Sequence, residues 1–219
     1  MEIEHFGSPE LKAKILPYCV KMEKRICFAM TEPDHGSDAA LLETTATEVE
    51  GGFVISGKKK WQPFFDNDFT IVQARLGKKG VQAFVVEKGA PGMEIKILEN
   101  VGSSAILRMC ESSYTNVFVP KSHHLQNQGS SSSFAKTLQT SRVLVAWASA
   151  GIAAGAYESA FAHTQKRHQF KKPLASFQLV QEKLVRTLST ISQMLCWAHR
   201  VTELLVAGEA SEGMTAALK

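Results

Sequence analysis

Cys27-Phe-Ala-Met-Thr-Glu-Pro-Asp-His-Gly-Ser-Asp38 carries the most information per residue in this chain. It opens as an apolar strand, Ile26 to Met30, and then turns. Thr31 carries a hydroxyl at the strand's end, Pro33 bars further regular pairing, and Gly36 allows the backbone a positive φ. Ser37 and Asp38 bond readily to nearby backbone or to a ligand. A loop with free N–H groups and two hydroxyls, held by a buried strand, suits anionic or heteroaromatic oxygen atoms. The same residues also describe an ordinary strand-to-loop turn.

Before this stretch, Ser8-Pro9-Glu10 reads as a helix start, with Ser at the cap and Pro at the first helical position. Leu11, Ile15 and Leu16 share one face, and Pro17 is expected to stop the helix. After it the period changes to two. Thr44–Glu50, Gly52–Ser56, Phe69–Arg75, Val81–Glu87, Met93–Leu98 and Tyr114–Val119 are rich in Val, Ile, Phe and Thr. Glu50-Gly51-Gly52 and Gly77-Lys78-Lys79-Gly80 are hairpin-like separators. Six or seven such strands predict an antiparallel barrel or sandwich. Within it, Lys58-Lys59-Lys60-Trp61 reads as a solvated turn with Trp61 in the core, and His123-His124 as a surface turn.

Gln126-Asn127-Gln128-Gly129 and the serines after it mark a linker, the best boundary in the chain. Two long helical patterns follow, about Ala135 to Phe170 and Ser176 to Ala207, each predicted to exceed roughly 40 Å. The first is packed with small residues from Ala146 to Ala156, including Gly151 and Gly155, which predicts close helix–helix approach. The second has a seam of Val180, Leu184, Leu188, Ile191, Leu195, Ala198, Thr202 and Leu205, closed by Gly208 as C-terminal cap. A further helix begins at Ser211. The fold class is α+β: a central antiparallel β-barrel or sandwich followed by part of an antiparallel helical bundle. The divisions are 1–23, 24–122 (strands), 123–136 (linker) and 137–219 (bundle).

The formal charge of +4 over 219 residues is too mild to imply nucleic acid, though it favours anionic ligands. Lys166-Arg167-His168-Gln169-Phe170-Lys171-Lys172 offers charges to a phosphate, or is a solvated helix end; its aromatics are too few for a nucleic-acid face. No apolar run approaches the roughly 20 residues that span a bilayer, and Met1 to His5 has no signal-peptide pattern. Cys19, Cys27, Cys110 and Cys196 lack metal or CxxC spacing and read as free thiols in a reducing compartment. No metal site is expected.

Two segments together carry a family resemblance. Phe28 to Asp38 resembles the Phe-Ala-x-Thr-Glu-Pro-x-x-Gly-Ser-Asp signature of the acyl-CoA dehydrogenase and acyl-CoA oxidase flavoproteins. Arg167 to Gln178 resembles their Arg-x-x-Phe-Gly-x-Pro-Leu-x-x-x-Gln motif, with Lys171 in place of the glycine. The wording near Arg142 is most similar to short-chain acyl-CoA oxidase and glutaryl-CoA dehydrogenase. The resemblance implies FAD as cofactor, an acyl-CoA substrate and a homo-oligomer or larger complex. It implies a role in fatty acid metabolism, in the mitochondrial matrix or peroxisome, with residues 1–23 as the end of an N-terminal helical domain. Phe28, Met30, Thr31 and Gly36 are expected along the flavin, Ser37 at its pyrophosphate and the substrate, and Trp61 beside the ring. Arg167, Phe170 and Gln178 are expected to reach a neighbouring subunit's FAD, and Arg142 to lie near the acyl-CoA.

The resemblance covers nearly the whole chain, while the chain is expected to cover only the middle of the family, truncated at both ends. The catalytic glutamate is expected beyond position 219; Glu158 and Glu182 read as solvent-facing, so no catalytic residue is assigned. The family's Lys-x-Trp-Ile-Thr, whose Thr bonds flavin N5, is matched at Lys59 and Trp61 but continues as Gln62-Pro63. Pro63 has neither hydroxyl nor amide proton. Two functions therefore stand: an acyl-CoA α,β-dehydrogenating flavoprotein incomplete for catalysis alone, and an inactive homologue serving as a structural or assembly subunit.

Overall fold

The computed structural model describes residues 2–102, 105–125 and 133–217. The chain divides into two compact units, Met1–Lys136 and Thr137–Lys219. The polar stretch 126–132 lies outside the described residues.

In the first unit, α1 (Glu2–Phe6) and α2 (Pro9–Val20) precede eight strands: β1 (Ile26–Ala29), β2 (Thr45–Val49), β3 (Gly52–Gln62), β4 (Phe69–Arg75), β5 (Val81–Glu87), β6 (Met93–Ile97), β7 (Cys110–Pro120) and β8 (His124–Leu125). Ser8 caps α2 by accepting from the Leu11 amide, as the sequence predicts. Pro17 does not stop the helix, which continues to Val20. Loss of one N–H near a helix end is tolerated where Leu11 and Ile15 anchor the turn in the core.

The strands form one sheet in the order β6-β7-β3-β2-β4-β5-β8, with β1 added beside β4. Most pairs are antiparallel, but β1 runs parallel to β4, so the sheet is mixed. It is a sandwich-like open sheet and not a closed barrel. β3 and β7 exceed their expected lengths and pair along most of them. The sheet also continues through His124 and Leu125, which pair with Phe84 and Ala83, past the expected start of the linker.

β4 and β5 explain the layering. Burial on both faces removes alternation, and residues 69–74 of β4 are all buried. Val72, Ala74, Phe84 and Val86 face one core with Phe53, Ile55, Val117 and Val119 from β3 and β7. Phe69, Ile71, Ala83 and Val85 face a second core with Ile3, Leu11 and Ile15 of the helices. The imperfect alternation in β5 is thus a consequence of having two interiors to serve.

His123 and His124 are not a surface turn. His123 is buried; its Nδ1–H donates to the Val85 carbonyl at 3.2 Å, and Nε2 lies 3.5 Å from both Lys14 Nζ and Glu87 Oε1. The His124 ring stacks on Phe84, 4.8 Å between centroids, and leans on Phe53. Its Nε2 is buried without a partner among the described residues. Burial, then Lys14, lowers the pKa of His123; burial, then Lys79, lowers that of His124.

In the second unit, α3 (Ser133–Lys166) and α4 (Gln178–Val206) run antiparallel, joined by a two-stranded hairpin, β9 (His168–Gln169) and β10 (Lys172–Pro173). Trp147 Nε1–H donates to Thr202 Oγ1 at 3.0 Å and fixes their register. α5 (Glu212–Ala216) starts at a Ser211 cap. Gly208, at φ +77°, ends α4 in the left-handed conformation that glycine adopts freely. Of the expected seam only Ile191 and Ala198 are buried, joined by Val201, while Leu188 and Leu195 stay 47% and 39% exposed. Two helices cover one another along a single stripe, which leaves the flanks of that stripe open. The close approach expected at Gly151 and Gly155 is absent within this unit: a Cβ at either would meet nothing within 4 Å.

Buried His123 and half-buried His124 both have folded-state pKa values below the ordinary ~6.5. As pH falls through the ordinary histidine value the unfolded chain takes up these protons first, so stability is lost on the acid side of about pH 6.5. In urea unfolding across that range, His124→Phe should flatten the slope, since it removes one titrating group and one orphaned nitrogen.

Candidate functional site

The loop after β1 is organised by a buried ion pair. Lys59, on β3, has no solvent exposure; its ammonium donates to Glu32 Oε1 at 2.8 Å and to the Met30 carbonyl at 3.0 Å. The Glu32 carboxylate also accepts the Glu43 amide at 2.5 Å and the Thr44 amide at 2.9 Å. One carboxylate therefore ties the start of the loop, its end and the neighbouring strand together. Burial works against both charges. On Glu32 the hydrogen bonds from Lys59, Thr44 and Glu43 overcome burial and bring the pKa down to about 2. On Lys59 burial outweighs its carboxylate partner, and the pKa ends below the ordinary lysine value.

Lys59 is therefore no part of a solvated turn, nor is Trp61 in the core. The lysine is the buried residue and Trp61 is 51% exposed, with Lys60 Nζ 5.4 Å above its ring. The Lys60 amide donates to the Thr31 carbonyl at 2.7 Å. This bond sets the Met30–Thr31 backbone beside the Lys60–Trp61 backbone, so the structure brings Met30, Thr31 and Trp61 to one end of the sheet, while Phe28 packs against the second core with Ile3, Leu11 and Ile15. Among the described residues, the hydroxyls of Thr31 and Ser37 have no protein partner, and Ser37 is exposed. A turn closed by the Glu32 amide on the His35 carbonyl (3.0 Å) carries the chain to them. Gly36 does not use a positive φ; the turn is completed without it. A separate cleft of about 240 Å³ lies behind the loop, lined by Glu32, His35, Glu43 and Thr44.

Arg167, Phe170 and Gln178 belong to the second unit. Leu174 N–H donates to the Arg167 carbonyl at 2.8 Å, which closes the hairpin, and Gln178 opens α4. Phe170 and Lys171 form the two-residue tip at φ +51° and +63°. Glycine suits that second position, and Lys171 occupies it under strain. Phe170 is 87% exposed, with its ring 6.2 Å from that of Phe177. Arg142 lies well inside α3 and half-buried, not at the helix start. Glu158 and Glu182 face solvent, Glu182 pairing with Arg186. Sequence reasoning missed Glu32, Lys59 and a buried cluster of Gln62, Ser112, Tyr114 and Cys110, which begins at the residue after Trp61. Glu32 and Lys59 stood inside the quoted motifs; the partnership between them did not.

Among the described residues there is no group of ligands able to hold a metal ion and no helix long and apolar enough to cross a membrane. All four cysteines are free; Cys27 and Cys110 are buried, and burial pushes each thiol up to about 11.

Removing one partner of the buried pair leaves an uncompensated charge. Lys59→Met should destabilise the chain by about 3–5 kcal/mol, and Lys59→Met with Glu32→Leu should recover most of that loss. The Glu32 contribution is fully present above its ordinary pKa of ~4.3 and is lost as pH falls toward about 2. Acid unfolding followed by circular dichroism checks both.

Comparison with known proteins matches residues 27–117 to the acyl-CoA dehydrogenase middle domain and residues 128–219 to the acyl-CoA dehydrogenase C-terminal domain. The mitochondrial isovaleryl-CoA dehydrogenase of Oryza sativa subsp. japonica is 30% identical over 207 residues, covering 91% of this chain and 50% of the relative. A crystal structure of glutaryl-CoA dehydrogenase from Mycobacterium smegmatis superposes with TM-score 0.93 at 29% identity, over 99% of this chain and 56% of that one. A glutaryl-CoA dehydrogenase structure from the same organism, in complex with FADH2, gives TM-score 0.92 at 27% identity. The chain spans about half the length of the curated relatives it matches. The signature loop, the exposed tryptophan beside it, the basic hairpin between long helices and the two matched domains agree, and the chain belongs to the acyl-CoA dehydrogenase family.

Proposed function

We propose that this chain is the flavin-binding portion of an acyl-CoA dehydrogenase, acting on an acyl-CoA to give the trans-2-enoyl-CoA. The observation that carries the reading is the 2.7 Å bond from the Lys60 amide to the Thr31 carbonyl, which sets the signature loop against an exposed indole. FAD fits what the loop offers: hydroxyls of Thr31 and Ser37 without protein partners among the described residues, an exposed indole face, and a cation at Lys60. The FADH2 complex of the similar glutaryl-CoA dehydrogenase supports the cofactor.

In this reading Phe28, Met30, Thr31 and Gly36 hold the ring system, Trp61 stacks beside it, and Ser37 serves the pyrophosphate and the substrate. Arg167 takes a pyrophosphate, Phe170 packs on the cofactor and Gln178 hydrogen-bonds it, each toward the FAD of a neighbouring copy in a homo-oligomer or larger complex. Arg142 lies toward the acyl-CoA. FAD held there would supply the hydride acceptor that α,β-dehydrogenation requires, beside a base for the α proton. Neither Glu158 nor Glu182, both exposed, suits that base. The reading places the chain in fatty acid metabolism, in the mitochondrial matrix or peroxisome; the mitochondrial plant relative supports the first of these compartments.

Pro63 favours a second reading, a structural or assembly subunit, because it gives a flavin neither hydroxyl nor amide proton. Spectroscopic titration separates the two. Retained flavin whose visible band bleaches with a short acyl-CoA ends the structural reading; no retained flavin at saturating FAD ends the flavoprotein reading for this chain. Pro63→Thr should tighten FAD about tenfold, the scale of one well-placed hydrogen bond.

A further inference from the structure

Trp61 is exposed because β3 contains a β-bulge, and the bulge is held from below. Lys59 pairs with Ser112 and Gln62 with Cys110, so Lys60 and Trp61 together oppose the single Glu111 of β7. A bulge of this kind re-aims a side chain away from the face that regular alternation would give it. Within the bulge Trp61 lies in the left-handed region at φ +64°, a conformation that glycine adopts far more readily than a side chain this large. Phe64, three residues on, is also left-handed at φ +59°. Two such residues in so short a span persist only where the surroundings over-determine them.

Gln62 sits between them and is 1% exposed. Its carboxamide N–H groups donate to Ser112 Oγ at 2.8 Å and Tyr114 OH at 3.4 Å, and the Cys110 thiol donates to its oxygen at 3.8 Å. Ser112 Oγ–H donates to Tyr114 OH at 2.9 Å. All three partners lie on β7 and all are buried. A slip of β3 by one residue would pull the carboxamide out of this cluster and leave several buried polar groups unpaired. Pro63 adds a backbone restriction, because the residue before proline is held extended. The Phe64 amide, donating to the Leu107 carbonyl at 2.7 Å, anchors the far side.

We propose that Gln62 is a positioning residue: its buried hydrogen bonds to Ser112, Tyr114 and Cys110 fix the register of the β3 bulge and thereby the pose of Trp61. The consequence for cofactor binding rests on the flavin reading above; the positioning itself does not. Gln62 stands where the family motif quoted earlier has an apolar residue, so the device belongs to this chain.

The test is 19F NMR of the chain labelled with 5-fluorotryptophan. Its three resonances report Trp61, Trp147 and Trp197, and Trp61→Phe assigns the first. In Gln62→Met, close in volume but without the carboxamide, the Trp61 resonance should shift and broaden while the other two stay in place. A Trp61 resonance that does not move, or three that move together, overturns the proposal. If Gln62→Met does not fold, Tyr114→Phe removes one hydroxyl of the cluster at constant shape and is read by the same criteria. FAD titration of the same variants gives the second arm: where the parent binds FAD, Gln62→Met should raise the dissociation constant about tenfold. An unaltered FAD affinity beside a displaced Trp61 resonance removes the flavin reading of Trp61 and leaves the positioning role standing.

Discussion

Two opposite charges sealed from water, Lys59 and Glu32, hold the functional end of the sheet together. Neither can be satisfied alone. The ammonium takes one carboxylate oxygen and the Met30 carbonyl, and the carboxylate takes two amides from the far end of its own loop. The loop between β1 and β2 therefore cannot open without exposing or stranding a charge. A pair of this kind adds little net stability over apolar packing. Its contribution is to permit only one closure of the loop.

That closure works with the sheet's curvature. β4 and β5 are buried on both faces, against the other half of the sheet on one side and against α1 and α2 on the other. A strand so enclosed has no freedom to slide, and β1, running parallel to it in register, inherits that rigidity. The signature loop begins where β1 ends. Rigid strand, pinned loop and bulged neighbour then form one continuous support, from the apolar interior to the exposed face of Trp61.

Much of this was legible in the residues, unevenly. The helix caps at Ser8, Ser211 and Gly208 are local chemistry and were readable one residue at a time. Strand positions were readable from composition, but lengths were not: β3 runs through three lysines because one of them has an ion partner 27 residues away in sequence. Sequence periodicity has no view of such a partner, and a lysine cluster defaults to solvent. The parallel placement of β1 and the double burial of β4 and β5 are equally non-local. His123 and His124 looked like a polar turn, yet an imidazole can stack flat on Phe84, and a chain with two interiors has room for it. The helical seam was correct in period and wrong in burial, since periodicity names the apolar side of a helix but not how much of it one neighbour can cover.

The hairpin between the long helices reverses direction through two residues, Phe170 and Lys171, that both bear side chains in a backbone region where such residues are rare. Folding of the second unit absorbs that conformational expense in advance. The ring at the tip reaches solvent with its backbone already committed, so whatever surface it meets encounters a probe with little slack left to surrender.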